Sequence, residues 1–440
     1  MDNLTIGLLL ICVLFLLVLL GMRIGIALLA VAFCGVWIIR DNFDLSMRLM
    51  SISAYNGVSS YLFATIPLFV LMGYLVSVSN VGKDTFDVAE IGLRRVLGGL
   101  GVATVAANTI FAAVTGVSIA SAAVFTKVAV PEMVRHGYRP SFSCGAVAGS
   151  SVLGMLVPPS LLLIIYGVLA EQSIGKMFLA GLIPGLVLAG GFVLLIVGLA
   201  RFAPSVVFAD PEAPRDRTTL ARDDDMSGRE MVLKLIPIML LVTCVLGGLY
   251  SGVFTPTEAG GVGAFAAFVI ALARRSLDWA TIWDVLVRTG TISVGILLLL
   301  VAANFYGQML AVAGIPSAIS ELVAQSGLGA YGFLLLYVVL VLLLGMILDS
   351  TSILLIVVPI AAPIALHLGF DLIHFGIITV IAVEVGLLSP PFGISIFTVH
   401  AALDDAKTPL EAIFAGTLPF VGVMLGTLAL IAAFPGLLYY

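Results

Sequence analysis

Two adjacent prolines, Pro158-Pro159, interrupt the apolar run GSSVLGMLVPPSLLLIIYG between Gly149 and Gly167. Pro390-Pro391 interrupt AVEVGLLSPPFGISIFTVH, between Ala382 and His400, in the same way. A proline has no backbone N–H and disfavours helix at the residue before it, so each pair leaves carbonyl oxygens without their helical donors. In an apolar environment those oxygens need partners. A sodium ion accepts backbone and hydroxyl oxygens and is favoured by the ends of half-helices. Two polar stretches carry the remaining oxygens: TGVSIAS supplies Thr115, Gly116, Ser118 and Ser121, and GMILDSTS supplies Gly345, Asp349, Ser350, Thr351 and Ser352. A single proline in a membrane helix often only kinks it, and a serine often only bonds a carbonyl one turn back. Here each break follows a glycine by four residues (Gly154, Gly386) and shares its half of the chain with one polar stretch. Two oxygen-lined sites, one per half, are therefore expected.

Ionisable groups within apolar runs are costly and usually functional. Asp349 is the strongest of them. Glu384 precedes the second break by nearly two turns and reads either as a ligand or neighbour of one, or as a carboxylate tied to a backbone amide. Lys127 reads either as an attractor for an anionic substrate or as a side chain reaching to the membrane surface. His136, His367 and His374 fall near the ends of apolar runs, where interfacial placement is the expectation, and His400 ends the second broken run without a recognisable partner. The four cysteines, Cys12, Cys34, Cys144 and Cys244, show no metal or redox spacing and read as small buried hydrophobes.

The elements that position these groups must be membrane helices. The chain has 440 residues, of which 61% are hydrophobic and 10% charged, more apolar surface than one soluble core can hide. The runs are continuous rather than alternating, which excludes a β-barrel. A net charge of −5 without a basic tract gives no sign of nucleic-acid binding. The first apolar run lacks a basic leader and a small-residue cleavage site, so it reads as a spanning helix. Five full crossings are expected in the first half, at about 3–21, 24–40, 61–79, 141–168 (broken) and 176–200. Five more are expected at about 232–251, 255–274, 291–311, 373–400 (broken) and 409–436. Segments 99–135 and 329–366, each interrupted at its middle, read as re-entrant hairpins. Asp44–Tyr55, Thr85–Leu97 and Asp278–Arg288 read as amphipathic helices at the interface, with Trp279 and Trp283 at headgroup level.

The polar linker Arg201–Glu230 divides the chain into residues 1–200 and 231–440. When the chain is slid along itself until Pro158-Pro159 falls on Pro390-Pro391, Gly82 falls on Gly314, Ser118 on Ser350, Pro131 on Pro363, Gly137 on Gly369 and Gly154 on Gly386. One register for the whole set indicates an internal repeat. With an odd number of crossings per half, the repeats have inverted topology, as in many secondary transporters. Sixteen of the twenty lysines and arginines then fall on one side and three on the other, with Lys127 inside a hairpin. The positive-inside rule puts the rich side in the cytoplasm and both termini outside.

PEMVRHGY, GMLVPPSLLLIIYG, GVFTPTEAG, GMILDSTSILLIVVPI and GLLSPPFGISIF resemble, in order, motifs of the large membrane subunit of tripartite ATP-independent periplasmic (TRAP) transporters. The resemblance covers essentially the whole chain. It implies an all-α, elevator-type protein similar to the ion transporter superfamily, in a bacterial or archaeal inner membrane, with Na⁺ as coupling ion and no other cofactor. It implies as partners a small four-helix membrane subunit and a periplasmic binding protein that delivers an organic anion such as a dicarboxylate, sialic acid or another sugar acid. Carried over by motif, the first sodium site comprises Ser118, Gly154, Val157 and Pro159, and the second Asp349, Ser352 and Gly386. Thr115, Ser121, Ser150, Ser350, Ser389 and Lys127 are candidates to lie near the substrate. Two departures stand out: Val117 separates Gly116 from Ser118, and Ser389 replaces the family's usual threonine. A stand-alone sodium/dicarboxylate symporter is the alternative. An intramembrane hydrolase would need paired catalytic groups that the motifs lack, and hairpins entering from opposite sides suit alternating access better than an open channel.

Overall fold

Apolar runs of this length fold as helices because hydrocarbon offers the backbone no hydrogen-bond partner but itself. The computed structural model describes residues 2–210, 226–327, 329–403 and 408–438, with Ala112 described by its backbone. Half of the predicted linker, with Arg215, Arg217 and Arg222, lies outside the described residues, as does Lys407.

The first half opens with α1 (Asn3–Leu19), α2 (Ile24–Arg40), α3 (Phe43–Ser59) and α4 (Thr65–Val78). Helix α5 (Val81–Leu93) leads to a hairpin of α6 (Gly99–Thr115) and α7 (Ser118–Arg135). The first broken helix follows as α8 (Pro140–Ser151), α9 (Leu153–Leu156) and α10 (Leu161–Leu169), and then α11 (Ile174–Phe202) and α12 (Pro204–Val207). The second half repeats the order. It contains α13 (Gly228–Val242), α14 (Gly248–Tyr250), α15 (Pro256–Ala273), α16 (Trp279–Ala313) and α17 (Ile315–Ser326). Its hairpin is α18 (Gly329–Gly345) and α19 (Ser350–His367), its broken helix α20 (Leu372–Leu387) and α21 (Ile394–Ala402), and its last helix α22 (Leu410–Ala433). In the register that sets Pro158 on Pro390, the first residues of α2, α7 and α8 fall on the first residues of α15, α19 and α20. No strand occurs among the described residues beyond one isolated bridge between Tyr138 and Phe208.

Seven described helices are long and apolar enough to cross a membrane. The α8–α9 and α10 limbs make an eighth if the pair, bent by 43°, counts as one span. Helices α1, α2, α6, α18 and α20 are apolar but shorter, at 10–17 residues. Leu194, Phe202, Phe265 and Val294 stand out into the surroundings, as side chains facing lipid do. The chain is a multi-pass helical membrane protein.

The two halves interlock. Helix α2 packs on α16 and α15 on α4, so each framework pair joins one element from each half. Helix α8 packs on α22, closely enough that a β-carbon on Gly145 would sit 2.2 Å from the Gly416 carbonyl oxygen. The second limb of each broken helix leans on the other half's hairpin, α10 on α19 and α21 on α7. Tyr166 of α10 donates its hydroxyl to the Leu372 carbonyl at 2.7 Å.

One expectation is corrected. Asp278–Arg288 is not a separate interfacial helix: α16 runs unbroken for 35 residues, from its Asp278 cap to Gly314. Nothing in that stretch removes a backbone donor, so the helix continues into the span. Its counterpart in the first half is divided at Ser60, which takes extended dihedrals (φ −73, ψ 124) between α3 and α4. Trp279 and Trp283 are exposed, as headgroup-level residues would be. Asp44–Tyr55 lies within α3, and Thr85–Leu97 begins in α5 and runs past its end.

Candidate functional site

Pro158 has no N–H for the Gly154 carbonyl and Pro159 none for Met155, so the helix opens after Leu156. Val157 is extended (φ −74, ψ 125), and Ser160 restarts the helix by accepting from Leu163 N at 3.3 Å. The same serine hydroxyl donates to the stranded Met155 carbonyl in a short hydrogen bond. The tip of the first hairpin fits into this opening. Leu161 N donates to the Gly116 carbonyl at 3.2 Å. Gly116 has φ +63, and a β-carbon there would lie 2.6 Å from the Pro159 carbonyl oxygen, so both the dihedral and the approach call for glycine. A β-carbon on Gly154 would lie 3.3 Å from Ser118 N. Ser118, Gly154, Val157 and Pro159 thus come from the two sides of one junction. The Ser118 hydroxyl is buried there and has no hydrogen-bond partner, although buried polar groups are as a rule bonded.

The second junction is more open. Gly345, the last residue of α18, meets Gly386 so closely that a β-carbon on either would lie 2.7 Å from the other's Cα. Pro390, Pro391 and Phe392 are exposed, whereas every residue from Val152 to Ile165 at the first break is buried. Both Pro-Pro bonds are cis. Asp349 is exposed at the hairpin tip and caps α19: its carboxylate accepts from Ser352 N at 3.2 Å and, in a short bond, from the Ser352 hydroxyl. Glu384 is wholly buried with neither carboxylate oxygen bonded, so of its two readings the tie to a backbone amide is not made.

The other predicted groups are distributed unevenly. The hydroxyls of Thr115 and Ser389 bond carbonyls one turn back, those of Phe111 (3.1 Å) and Val385 (2.8 Å), and Ser350 is buried at the start of α19. Ser121 and Ser150 are held by Asn108, which the sequence reading did not single out. Asn108 Nδ2 donates to Ser150 Oγ at 2.6 Å and its Oδ1 accepts from Ser121 Oγ at 2.7 Å. Lys127 is exposed on α7, nine residues past Ser118 and so about 14 Å along the helix. His374 is not interfacial but buried, bonded to the Ile431 carbonyl at 2.9 Å, because α22 covers that face of α20. Of the cysteines only Cys144 is buried; Cys12 and Cys34 are exposed on outward faces of α1 and α2 and Cys244 is intermediate. A bilayer accommodates such outward thiols as readily as a core would. Among the described residues no three His, Cys, Asp or Glu side chains cluster as metal ligands, so a cation at either junction would rest on hydroxyl, carbonyl and single carboxylate oxygens.

The turn between α7 and α8 is bonded to the start of the linker. Arg139 N donates to the Val207 carbonyl and Ala209 N to the Gly137 carbonyl, both at 2.9 Å. The Tyr138 and Phe208 rings lie 4.9 Å apart. Burial pushes the Tyr138 phenol up to about 12.

Comparison with known proteins gives the lineage. A Pseudomonas aeruginosa protein named C4-dicarboxylate TRAP transporter large permease protein DctM is 34% identical over 391 residues, which covers 89% of this chain and 88% of that one. An Oleidesulfovibrio alaskensis protein named isethionate TRAP transporter permease protein DctMQ is 29% identical, over 87% of this chain and 58% of its own longer one. The crystal structure of the Alcanivorax borkumensis YdaH transporter shares the fold, with a TM-score of 0.56 at 15% identity over 89% of both chains. The family described as tripartite ATP-independent periplasmic transporter, DctM component, matches residues 11–437, and with two proline-broken helices each met by a helical hairpin, the chain belongs to that family of membrane transporter subunits.

Proposed function

We propose that this chain is the large transmembrane subunit of a sodium-coupled importer of an organic anion, working by elevator-type alternating access. The observation that carries the reading is the buried, unbonded Ser118 hydroxyl at the junction of the first hairpin tip and the first broken helix. A desolvated oxygen with no partner is costly, and a sodium ion held by Ser118 with the Gly154, Val157 and Pro159 carbonyls would supply one. The second ion would take Asp349, Ser352 and Gly386, with Glu384 as the charge nearby. Thr115, Ser350 and Ser389, at the tips and breaks, are the hydroxyls best placed to meet substrate between the two junctions.

Ten crossings in two inverted repeats, with both termini periplasmic in a bacterial inner membrane, agree with the distribution of lysine and arginine. Partners are proposed on the family: a small membrane subunit and a periplasmic binding protein that selects the anion. The longer relative whose name joins two components, DctMQ, supports a small subunit as partner. Relatives named for a dicarboxylate and for a sulfonate support an anionic substrate without choosing one.

The test is uptake into proteoliposomes of this chain with its small subunit, using a panel of labelled C4-dicarboxylates, sugar acids and sulfonates. Uptake should require an inward sodium gradient and the binding protein. Asp349→Asn retains a capping residue for α19 but removes the charge, and uptake should fall at least about tenfold. Uptake without a sodium gradient overturns the coupling. Robust uptake without the binding protein favours a stand-alone symporter.

A further inference from the structure

The two junctions differ in what lies one turn beneath them. In the first half that layer is polar and fully bonded. Asn108 of α6 donates to Ser150 of α8 at 2.6 Å and accepts from Ser121 of α7 at 2.7 Å. Ser150 also donates to the Ala146 carbonyl at 2.6 Å. All three side chains are fully buried. Ser121 follows Ser118 by three residues and Ser150 precedes Gly154 by four, so each lies on the same helical face as its neighbour at the junction. One amide thus ties both arms of the hairpin to the first limb of the broken helix, directly below the unbonded Ser118 hydroxyl.

In the second half the positions that match Asn108, Ser121 and Ser150 in the repeat register are Leu340, Ile353 and Ala382. That half has instead a Tyr337–Thr379 bond of 3.0 Å between α18 and α20, three residues and about 4.5 Å farther from the tip than the Asn108–Ser150 bond in the repeat register. The half with the polar layer has a wholly buried break, and the half without it exposes Pro390–Phe392 and Asp349. Packing alone does not account for the contrast, since both hairpins meet their own broken helix at backbone contact.

We propose that Asn108 is a positioning residue that holds the first hairpin closed on the first broken helix, so that the Ser118–Gly154–Val157–Pro159 oxygen set exists before any ion arrives. The second set, whose tie lies about one turn farther from its tip and leaves α19 unbonded, is completed only when α18–α19 closes. The first ion therefore binds a preformed site and the second binds after closure. The ion identity rests on the sodium-coupled reading above; the clamp does not.

The experiment uses the full chain in nanodiscs with its small subunit. Hydrogen exchange is followed at 116–122 and 346–352 in sodium chloride and in choline chloride. In wild type without sodium, the first tip should be protected and the second should exchange rapidly. Asn108→Leu, and the triple variant N108L/S121I/S150A that installs the second half's own residues, should speed exchange at the first tip about tenfold and leave the second unchanged. Sodium should reverse the effect. In uptake Asn108→Leu should raise the sodium concentration for half-maximal rate about tenfold with maximal rate little altered. Unchanged exchange at the first tip, or faster exchange throughout the protein in the triple variant, overturns the clamp. Faster exchange that sodium does not reverse sustains the clamp and overturns the sodium reading.

Discussion

Glu384 is a fully buried carboxyl two residues before Gly386 at the second junction. It is buried among apolar helices with no partner for either oxygen, and ionising a group so placed is costly unless a cation joins it. Replacing it by glutamine keeps the shape and removes the ionisable group. Glu384→Gln should unfold within about 2 °C of wild type in choline chloride and gain less when sodium replaces choline. Thermal unfolding in both salts reads the two effects. An equal sodium-induced gain in both proteins would remove this carboxyl from the cation site. The prolines, Gly154 and the tip serines were legible in the sequence because a break in an apolar run leaves a local trace. Asn108 left none: its partners lie 13 and 42 residues away, and only the fold brings them together. The capping of α19 by Asp349 was equally hidden, because an intramembrane acid and an N-cap look alike until the helix start is known.

At the scale of elements, α5 connects the framework helices to the first hairpin and is tied to them by ion pairs. Asp84 pairs closely with Arg274 at the end of α15, and Lys234 of α13 lies 2.8 Å from Asp87 and 3.6 Å from Asp84. Both cations belong to the second half and both acids to the first. The equivalent helix α17 has Pro316 and Ile319 at the matching positions. A double-mutant cycle of Asp84→Asn and Arg274→Gln should give a coupling of about 1 kcal/mol, discounted because the pair is part exposed, measured by thermal unfolding. The pair Glu321→Gln and Ser320→Ala on α17 should give none. A null coupling at Asp84 would make this cluster a surface arrangement without mechanical role. Helices α3 and α5 were legible in part from charges at helical spacing, and α15 from its apolar run. The unbroken α16 was not, because charged residues at helical spacing over 278–288 read the same whether the helix lies along a membrane surface or enters it.

For the whole molecule, the single register relating the two halves was visible in the sequence because glycine and proline mark backbone geometry, which a repeat preserves while side chains diverge. How the halves engage was not visible. The leaning of α10 on α19 and α21 on α7 makes each broken helix part of the other half's surroundings. Under the proposed two-ion reading, this packing is the shortest route by which a change at one junction would reach the hairpin of the other. Sequence reasoning treated the halves as equivalent. Their difference arises from which residues fill the layer below each junction, and a repeat register says nothing of that.

The unequal cover over the two breaks also makes the molecule a directional target for thiol chemistry. In a background with Cys12, Cys34, Cys144 and Cys244 changed to alanine, a cysteine at Phe392 should be labelled by a water-borne maleimide, while one at Val157 should react only through rare openings. The rates should differ on the order of a hundredfold, and equal rates would mean that the two breaks are covered alike in the membrane. Applied from one side of sealed vesicles at a time, the reagent reports which compartment wets Phe392. That assigns the conformer by a colour change in a gel, and a bulky adduct at the same position becomes a plug that holds the protein on that side.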